Sequence, residues 1–239
     1  MTTAVYQLDN EHFDFPPPEH ALMHPNGLLA IGGDLSPQRL KNAYFEGIFP
    51  WYNPGEPILW WSPNPRAILN FNDFHISRSL KKSLRRSQFT YTINQAFNQV
   101  ITKCAATRSY SEGTWITSDI LKGYNQLHHN RQAHSIEVWQ NDELVGGLYG
   151  VSVGAVFCGE SMFHTVTDAS KAAMVVLVDL LSQFNYAFID CQLQNSHLSS
   201  LGISEIDRET FLAELYINRK TTIPKNCWDP RPYKLSHPK

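Results

Sequence analysis

The pattern of apolar and polar positions divides the chain into two stretches. Over residues 1–64 no period persists, because Pro16-Pro17-Pro18, Gly32-Gly33, Phe49-Pro50-Trp51 and Trp60-Trp61-Ser62-Pro63 interrupt it. Only 37–46 spaces its apolar residues as a helix does. From residue 65 onward regular periods set in. Residues 66–71 read as a short strand, followed by helices near 77–87, 93–105 and 118–129. Residues 134–140 alternate in polarity, 143–151 follow a turn at Asn141-Asp142, and 155–163 follow Gly154, which predicts three consecutive strands. A strongly apolar helix is expected over about 168–184, with Asp168 as its N-cap. A buried strand over 186–193 and a helix over 208–218 complete the pattern.

Strand, helices, three-strand meander, helix, strand, helix is the order of the N-acetyltransferase-like fold. The expected fold class is therefore α/β (α+β). It comprises a small loop-rich N-terminal domain at 1–64 and a GNAT-like mixed-sheet domain at 65–239.

Composition narrows the picture. With 239 residues and 42% hydrophobic content, the chain can bury a sizeable core, and 18% charged residues exclude a disordered polyelectrolyte. A net charge of -2, from 20 Lys+Arg against 22 Asp+Glu, excludes blanket coating of nucleic acid but allows a local basic patch. The 4 cysteines include no C-x-x-C pair and read as reduced thiols. The first twenty residues lack an apolar signal core, and the longest apolar stretch, 172–181, is broken by Asp179 and too short to span a bilayer. A soluble, cytoplasmic protein without membrane association is expected.

Five cations carry the clearest chemical signal. Arg78, Lys81, Lys82, Arg85 and Arg86 fall at i, i+3, i+4, i+7 and i+8, one continuous helix face. Like charges so placed repel, so a polyanion partner explains them better than helix stability does. A solvated surface is the plainer alternative. Trp51, Tyr52, Trp60, Trp61 and Trp115 offer indole faces for base stacking. Trp60 and Trp61 fit a core better; Trp51 and Trp115 fit either role.

Glu160 puts a carboxylate inside an apolar strand, on the face expected to carry Cys158 and Met162. Such a group needs a partner, either an internal Arg or Lys or a ligand ammonium. Asp190 and Gln192 end the buried strand and are expected to point the same way, with Cys191 on the opposite face. Asp190 could equally cap a following helix. Met174, Leu177 and Leu181 form an i, i+3, i+7 stripe that could floor a side-chain pocket. No H-E-x-x-H spacing occurs, and neither a metal nor any other cofactor is expected.

These motifs, taken in order, resemble one family. Pro25-Asn26-Gly27-Leu28-Leu29-Ala30-Ile31-Gly32-Gly33-Asp34-Leu35-Ser36-Pro37, Gly47-Ile48-Phe49-Pro50-Trp51, Trp60-Trp61-Ser62-Pro63 and His75-Ile76-Ser77-Arg78-Ser79 resemble leucyl/phenylalanyl-tRNA–protein transferases. So do Glu112-Gly113-Thr114-Trp115-Ile116, His134-Ser135-Ile136-Glu137-Val138-Trp139, Leu144-Val145-Gly146-Gly147 and Ile189-Asp190-Cys191-Gln192. The resemblance implies transfer of Leu or Phe, or Met, from aminoacyl-tRNA to proteins beginning with Arg or Lys, which marks them for degradation by the N-end rule pathway. It implies that Trp51 and Trp115 hold the terminal adenosine and that Glu160 meets the donor's amino group. Leu148, Phe157, Met162, Met174, Leu177, Leu181 and Ile189 would line the side-chain pocket. The basic face led by Arg78 would follow the acceptor stem, and Asp190 and Gln192 would form the catalytic pair. A neutral amide is a very poor base, so our reading has Asp190 accept a hydrogen bond from the incoming amine while Gln192 orients it.

Two rival readings share the pattern. A coenzyme-A-dependent N-acetyltransferase would carry a Gly-rich pyrophosphate loop, which Gly146-Gly147-Leu148-Tyr149-Gly150 does not fit. A non-catalytic tRNA-binding module would use the basic face but gives Glu160, Asp190 and Gln192 no role.

Overall fold

The structure, a computed structural model, describes residues 4–109 and 115–236. The elements run β1 (Tyr6–Leu8), β2 (Leu28–Gly32), α1 (Pro37–Phe45), β3 (Phe49–Pro50), β4 (Leu59–Trp61), β5 (Arg66–Leu69), α2 (Arg78–Arg86), β6 (Thr90–Ile93), α3 (Phe97–Ser109) and α4 (Ser118–His129). They continue with β7 (Ala133–Gln140), β8 (Glu143–Val153), β9 (Val156–His164), α5 (Ala169–Gln183), β10 (Phe188–Gln192), α6 (Ser196–Ser199), β11 (Ser204–Ile206), α7 (Arg208–Asn218) and β12 (Arg231–Tyr233). Among the described residues no helix is long and apolar enough to cross a membrane.

The strands form a four-stranded sheet, β1-β2-β4-β3, and an eight-stranded sheet, β11-β5-β10-β9-β8-β7-β6-β12. In the large sheet β9 and β10 pair in parallel, while β7, β8 and β9 form an antiparallel meander. Helix α5 connects β9 to β10, as a parallel crossover requires. Meander, helix and returning parallel strand make the N-acetyltransferase-like arrangement expected from the pattern.

Each face of the large sheet has its own core. On one side α5 buries Ala169, Ala172, Ala173, Val176, Leu177, Leu180 and Leu181, together with Phe157, Ile189 and Trp228. On the other side α3, α4 and α7 pack with Leu29, Ala30 and Trp60, so the small sheet shares this core.

Several local expectations are corrected. Asp168 occupies the N-cap position of α5 as expected, and its carbonyl accepts the Ala172 N–H at 2.8 Å, but its backbone is left-handed (φ 68°) and its side chain makes no cap hydrogen bond, lying instead 3.7 Å from Lys171. The helix expected from residue 93 starts at Phe97. Asn94 adopts a left-handed turn (φ 54°) there, and its side chain bonds Ser135 N at 2.8 Å and Trp228 O at 2.6 Å. The short strands β6, β11 and β12 and the small sheet had no recognisable period.

Candidate active site

The site exists because two neighbouring strands part. β9 and β10 stay paired through Phe188↔Val156, Ile189↔Phe157 and Asp190↔Cys158, and no pairing follows. Each strand carries an irregularity at that level. On β9, Gly159 faces Gly150 and Ser161 faces Tyr149, which leaves Glu160 as the extra residue of a bulge. A Cβ on Gly150 would stand 2.2 Å from Cys158 O, so this close approach requires glycine. On β10, Asp190 faces Ile68 and Gln192 faces Ala67, which leaves Cys191 extra. Gln192 is left-handed, with φ 57°.

These bulges overturn the expected two-residue alternation. Cys158 belongs to the core beneath α3 and α4, whereas Met162 packs on the α5 side. Cys191, expected to point away, lines the pocket beside Gln192. Burial pushes the Cys158 thiol well up, so it stays protonated and unreactive.

A pocket of about 310 Å³ opens between the parted strands. Leu148, Met162, Met174, Leu177 and Ile189 line its apolar part. Phe157 and Leu181 do not line it. Phe157 packs behind, its ring centroid 5.4 Å from that of Trp228, and Leu181 is fully buried in the same core. Trp51 and Trp115 stand on the wall. Tyr52 and Thr117 bring their loops together through a 3.0 Å hydroxyl–hydroxyl hydrogen bond. Trp51 is 43% exposed, whereas Trp60 is fully buried in the core, as expected of it. Trp61 is half-buried and donates its indole N–H to Trp51 O at 2.6 Å. Residues 112–114 of the motif running from Glu112 to Ile116 lie outside the described residues.

Glu160 sits half-buried in the pocket wall, where the Tyr124 hydroxyl donates to Oε2 at 3.2 Å and the Gln192 amide to Oε1 at 3.4 Å. Tyr124 is in turn hydrogen-bonded to Tyr44. Burial pushes the Glu160 carboxyl up to about 7, against the pull of both tyrosine hydroxyls. The negative charge of Asp190 adds to the push and Arg66 opposes it. A carboxyl so poised can ionise beside an ammonium group and lose that charge when the group departs.

Asp190 is not open to a ligand as expected. Arg66 Nε and Nη2 hold its two oxygens at 2.8 Å each, and the Gln192 backbone N–H donates to Oδ1 at 3.0 Å. Arg66 also donates to Gly47 O at 3.1 Å and lies over the rings of Phe49 and Phe211, 4.9 and 4.4 Å from their centroids. Sequence reasoning missed Arg66, Tyr44 and Tyr124. Arg66 lies 124 residues from its partner, and the two tyrosines read as ordinary core positions.

The basic face forms as expected. Arg78, Lys81, Lys82, Arg85 and Arg86 line one shallow depression on α2, while Leu80 is buried beneath them. Among the described residues none of the five pairs with a carboxylate within 4 Å.

Comparison with known proteins accords with this geometry. Residues 68–216 match the leucyl/phenylalanyl-tRNA protein transferase family, and residues 33–64 match that family's N-terminal domain. The chain is 55% identical over 231 residues to the leucyl/phenylalanyl-tRNA–protein transferase of Tolumonas auensis, covering 97% of this chain and 98% of that one. It is 56% identical over 228 residues to that of Shewanella pealeana, covering 95% and 96%. Among solved structures it is similar to L-PGS from Bacillus licheniformis, with a TM-score of 0.40 and 12% identity over 70% of this chain and 54% of that chain. On the matches that span nearly its whole length, the chain belongs to the leucyl/phenylalanyl-tRNA–protein transferase family.

Proposed function

We propose that this chain transfers leucine or phenylalanine from aminoacyl-tRNA to the N-terminal Arg or Lys of acceptor proteins in the cytoplasm. By its family, that modification marks the acceptors for degradation. One observation carries the reading: the apolar pocket has a carboxyl group, Glu160, in its wall and an exposed Trp51 beside it. An aminoacyl ester on adenosine has those three parts, an apolar side chain, an ammonium and a base. In this reading Leu148, Met162, Met174, Leu177 and Ile189 take the side chain, Glu160 takes the donor's ammonium, and Trp51 and Trp115 stack the adenine. The cations of α2 meet phosphates of the acceptor stem.

The chemistry is aminolysis. The acceptor's α-nitrogen bonds to the aminoacyl carbonyl carbon, the ester bond to the ribose breaks, and the ribose oxygen leaves as a hydroxyl with the proton that the amine gives up. An N-terminal amine with a pKa of about 7.7–8 is partly neutral near pH 7.5, so holding amine and ester in contact supplies much of the rate. Gln192 is the catalytic residue in this scheme, donating its amide N–H beside Glu160. Asp190 is a positioning residue: with its oxygens engaged by Arg66, it acts through the Gln192 backbone. Coenzyme A has no part. Gly146, Gly147 and Gly150 lie within β8, between β7 and β9, rather than at a strand-to-helix turn that could cradle a pyrophosphate.

Incubation with labelled leucyl-tRNA and a peptide beginning with Arg tests this reading. Label is expected on the peptide's N-terminus. Acetyl transfer from acetyl-coenzyme A, or tRNA binding without transfer, would overturn it.

A further inference from the structure

Past its apolar part, the pocket wall meets a group of basic side chains. His197, on α6, is itself a lining residue. No bulge separates Met162 from His164 on β9: they face Leu148 and Gly146 in regular register, so His164 shares the pocket-side face of Met162. Lys171 lies three residues before the pocket residue Met174 on α5, on the same side of the helix. Burial first, then the positive charges of Lys171 and His164, hold the His197 ring below its usual pKa. Lys171 has Asp168 at 3.7 Å, and Ser170 Oγ is hydrogen-bonded to His164 Nδ1 at 3.2 Å. Among the described residues, Asp168 is the carboxylate within 4 Å of this trio of groups able to carry positive charge.

His197 ties this cluster to the basic face through the chain that follows α6. The chain leaving α6 reaches Leu201, whose carbonyl accepts the His75 N–H at 2.9 Å, and α2 begins at Arg78. A gathering of basic groups with little internal compensation is stabilised in its charged form by an anion. Between a site for a terminal adenosine and a face for a duplex stem, the anion at hand is the phosphodiester backbone of the connecting single strand.

We propose that His164, Lys171 and His197 form a phosphate-binding track that guides the single-stranded 3′ end of the donor RNA from the α2 face into the pocket. The proposal rests on the aminoacyl-tRNA reading above. It separates two donors. Leucyl-tRNA has upstream phosphates to lose, whereas leucyl-adenosine has none.

The test is the double variant His164→Gln/Lys171→Gln beside wild type, with leucyl-tRNA binding measured across salt and transfer measured from both donors. Binding of leucyl-tRNA should weaken and its log–log salt dependence flatten by about 0.7 for each lost single-strand contact. Transfer from leucyl-adenosine should fall much less than transfer from leucyl-tRNA at low concentration. Lys171→Arg, which keeps the charge, should retain the wild-type slope. An unchanged slope in the double variant overturns the track, and so does an equal loss with both donors, which would make the residues part of the pocket. Wild-type transfer keeps the two readings apart. If wild type transfers leucine while the variant's slope is unchanged, the track alone falls. If wild type transfers none while the slope still flattens, the track stands and the transferase reading falls.

Discussion

Arg66 and Asp190 meet as a two-point ion pair across neighbouring strands, with both contacts at 2.8 Å and both side chains 1% exposed. Removing one partner strands a buried charge, which costs roughly 3–5 kcal/mol. Asp190→Ala should therefore lower the denaturant midpoint markedly. Replacing both partners with apolar residues, Arg66→Met with Asp190→Leu, should recover most of that stability, because no unpaired charge remains. Transfer should stay low in the double variant, since the Gln192 N–H has lost its acceptor. Recovery of full transfer would mean that Asp190 serves stability alone.

Glu160 gives a pH-dependent stability with a definite sign. Its carboxyl ionises near 4.5 in the unfolded chain and near 7 in the fold. Between those values the folded state holds the proton and the unfolded state has lost it, so stability falls as pH rises through the window. A shift of that size is worth roughly 3 kcal/mol for a fully buried group, and less for this partly exposed one. Glu160→Gln should raise the melting temperature at about pH 8 relative to wild type and have little effect near pH 4.5, while donor binding weakens. Equal melting shifts at both pH values would remove the burial effect.

The parts legible in the sequence are those whose signal is local. The meander β7–β9 is marked by its alternation over 134–140 and by the turns at Asn141-Asp142 and Gly154, the helix α5 by its apolar run, and the cations of α2 report one helix face whatever surrounds it. Less legible were β6, β11 and β12, three or four residues long and defined by distant partners such as Thr92↔Pro232 and Glu205↔Ala67. The site was only half legible for the same reason. Glu160 stood out as a carboxylate in an apolar strand, but the bulge that aims it is a property of the β8–β9 pair. Likewise Asp190 and Gln192 read as one face until the left-handed backbone of Gln192 breaks the alternation.

Donor choice should follow the residues that line the pocket. Met174 does and Leu181 does not. Met174→Phe should disfavour phenylalanyl against leucyl transfer, by about 1–3 kcal/mol in relative kcat/KM. Leu181→Phe overpacks a filled core and should cost about 1–3 kcal/mol of stability, affecting both donors alike. Selectivity that changes with Leu181 rather than Met174 would move the pocket floor about two turns along α5.

Salt titration measures the α2 face. Arg78→Ala/Lys81→Ala should weaken aminoacyl-tRNA binding and flatten its log–log salt slope by about 0.7–0.9 per lost phosphate contact. Melting temperature should hardly change, since Leu80 and not the cations carries the helix's burial. A wild-type slope in this variant would remove the face from the tRNA site.

Gln192→Glu separates two roles for the amide. The Gln192 amide donates to Glu160 Oε1 at 3.4 Å, and its backbone is held by Asp190. If the side chain worked by taking a proton, a carboxylate, a far better base, should keep or raise the rate. If it works by donating N–H, glutamate has nothing to donate when ionised. It also brings a second negative charge against Glu160, whose carboxyl already sits near 7, and pushes that group further up. The ammonium of the donor then meets a neutral acid instead of a carboxylate. The expected outcome is a loss of transfer worth roughly 2–4 kcal/mol, comparable to removing one transition-state donor. The measurement is transfer at saturating aminoacyl-tRNA across about pH 6 to 9, a range in which a base would reveal its own titration. A rate in Gln192→Glu that matches or exceeds wild type over that range would assign the proton to residue 192 and overturn the donor role.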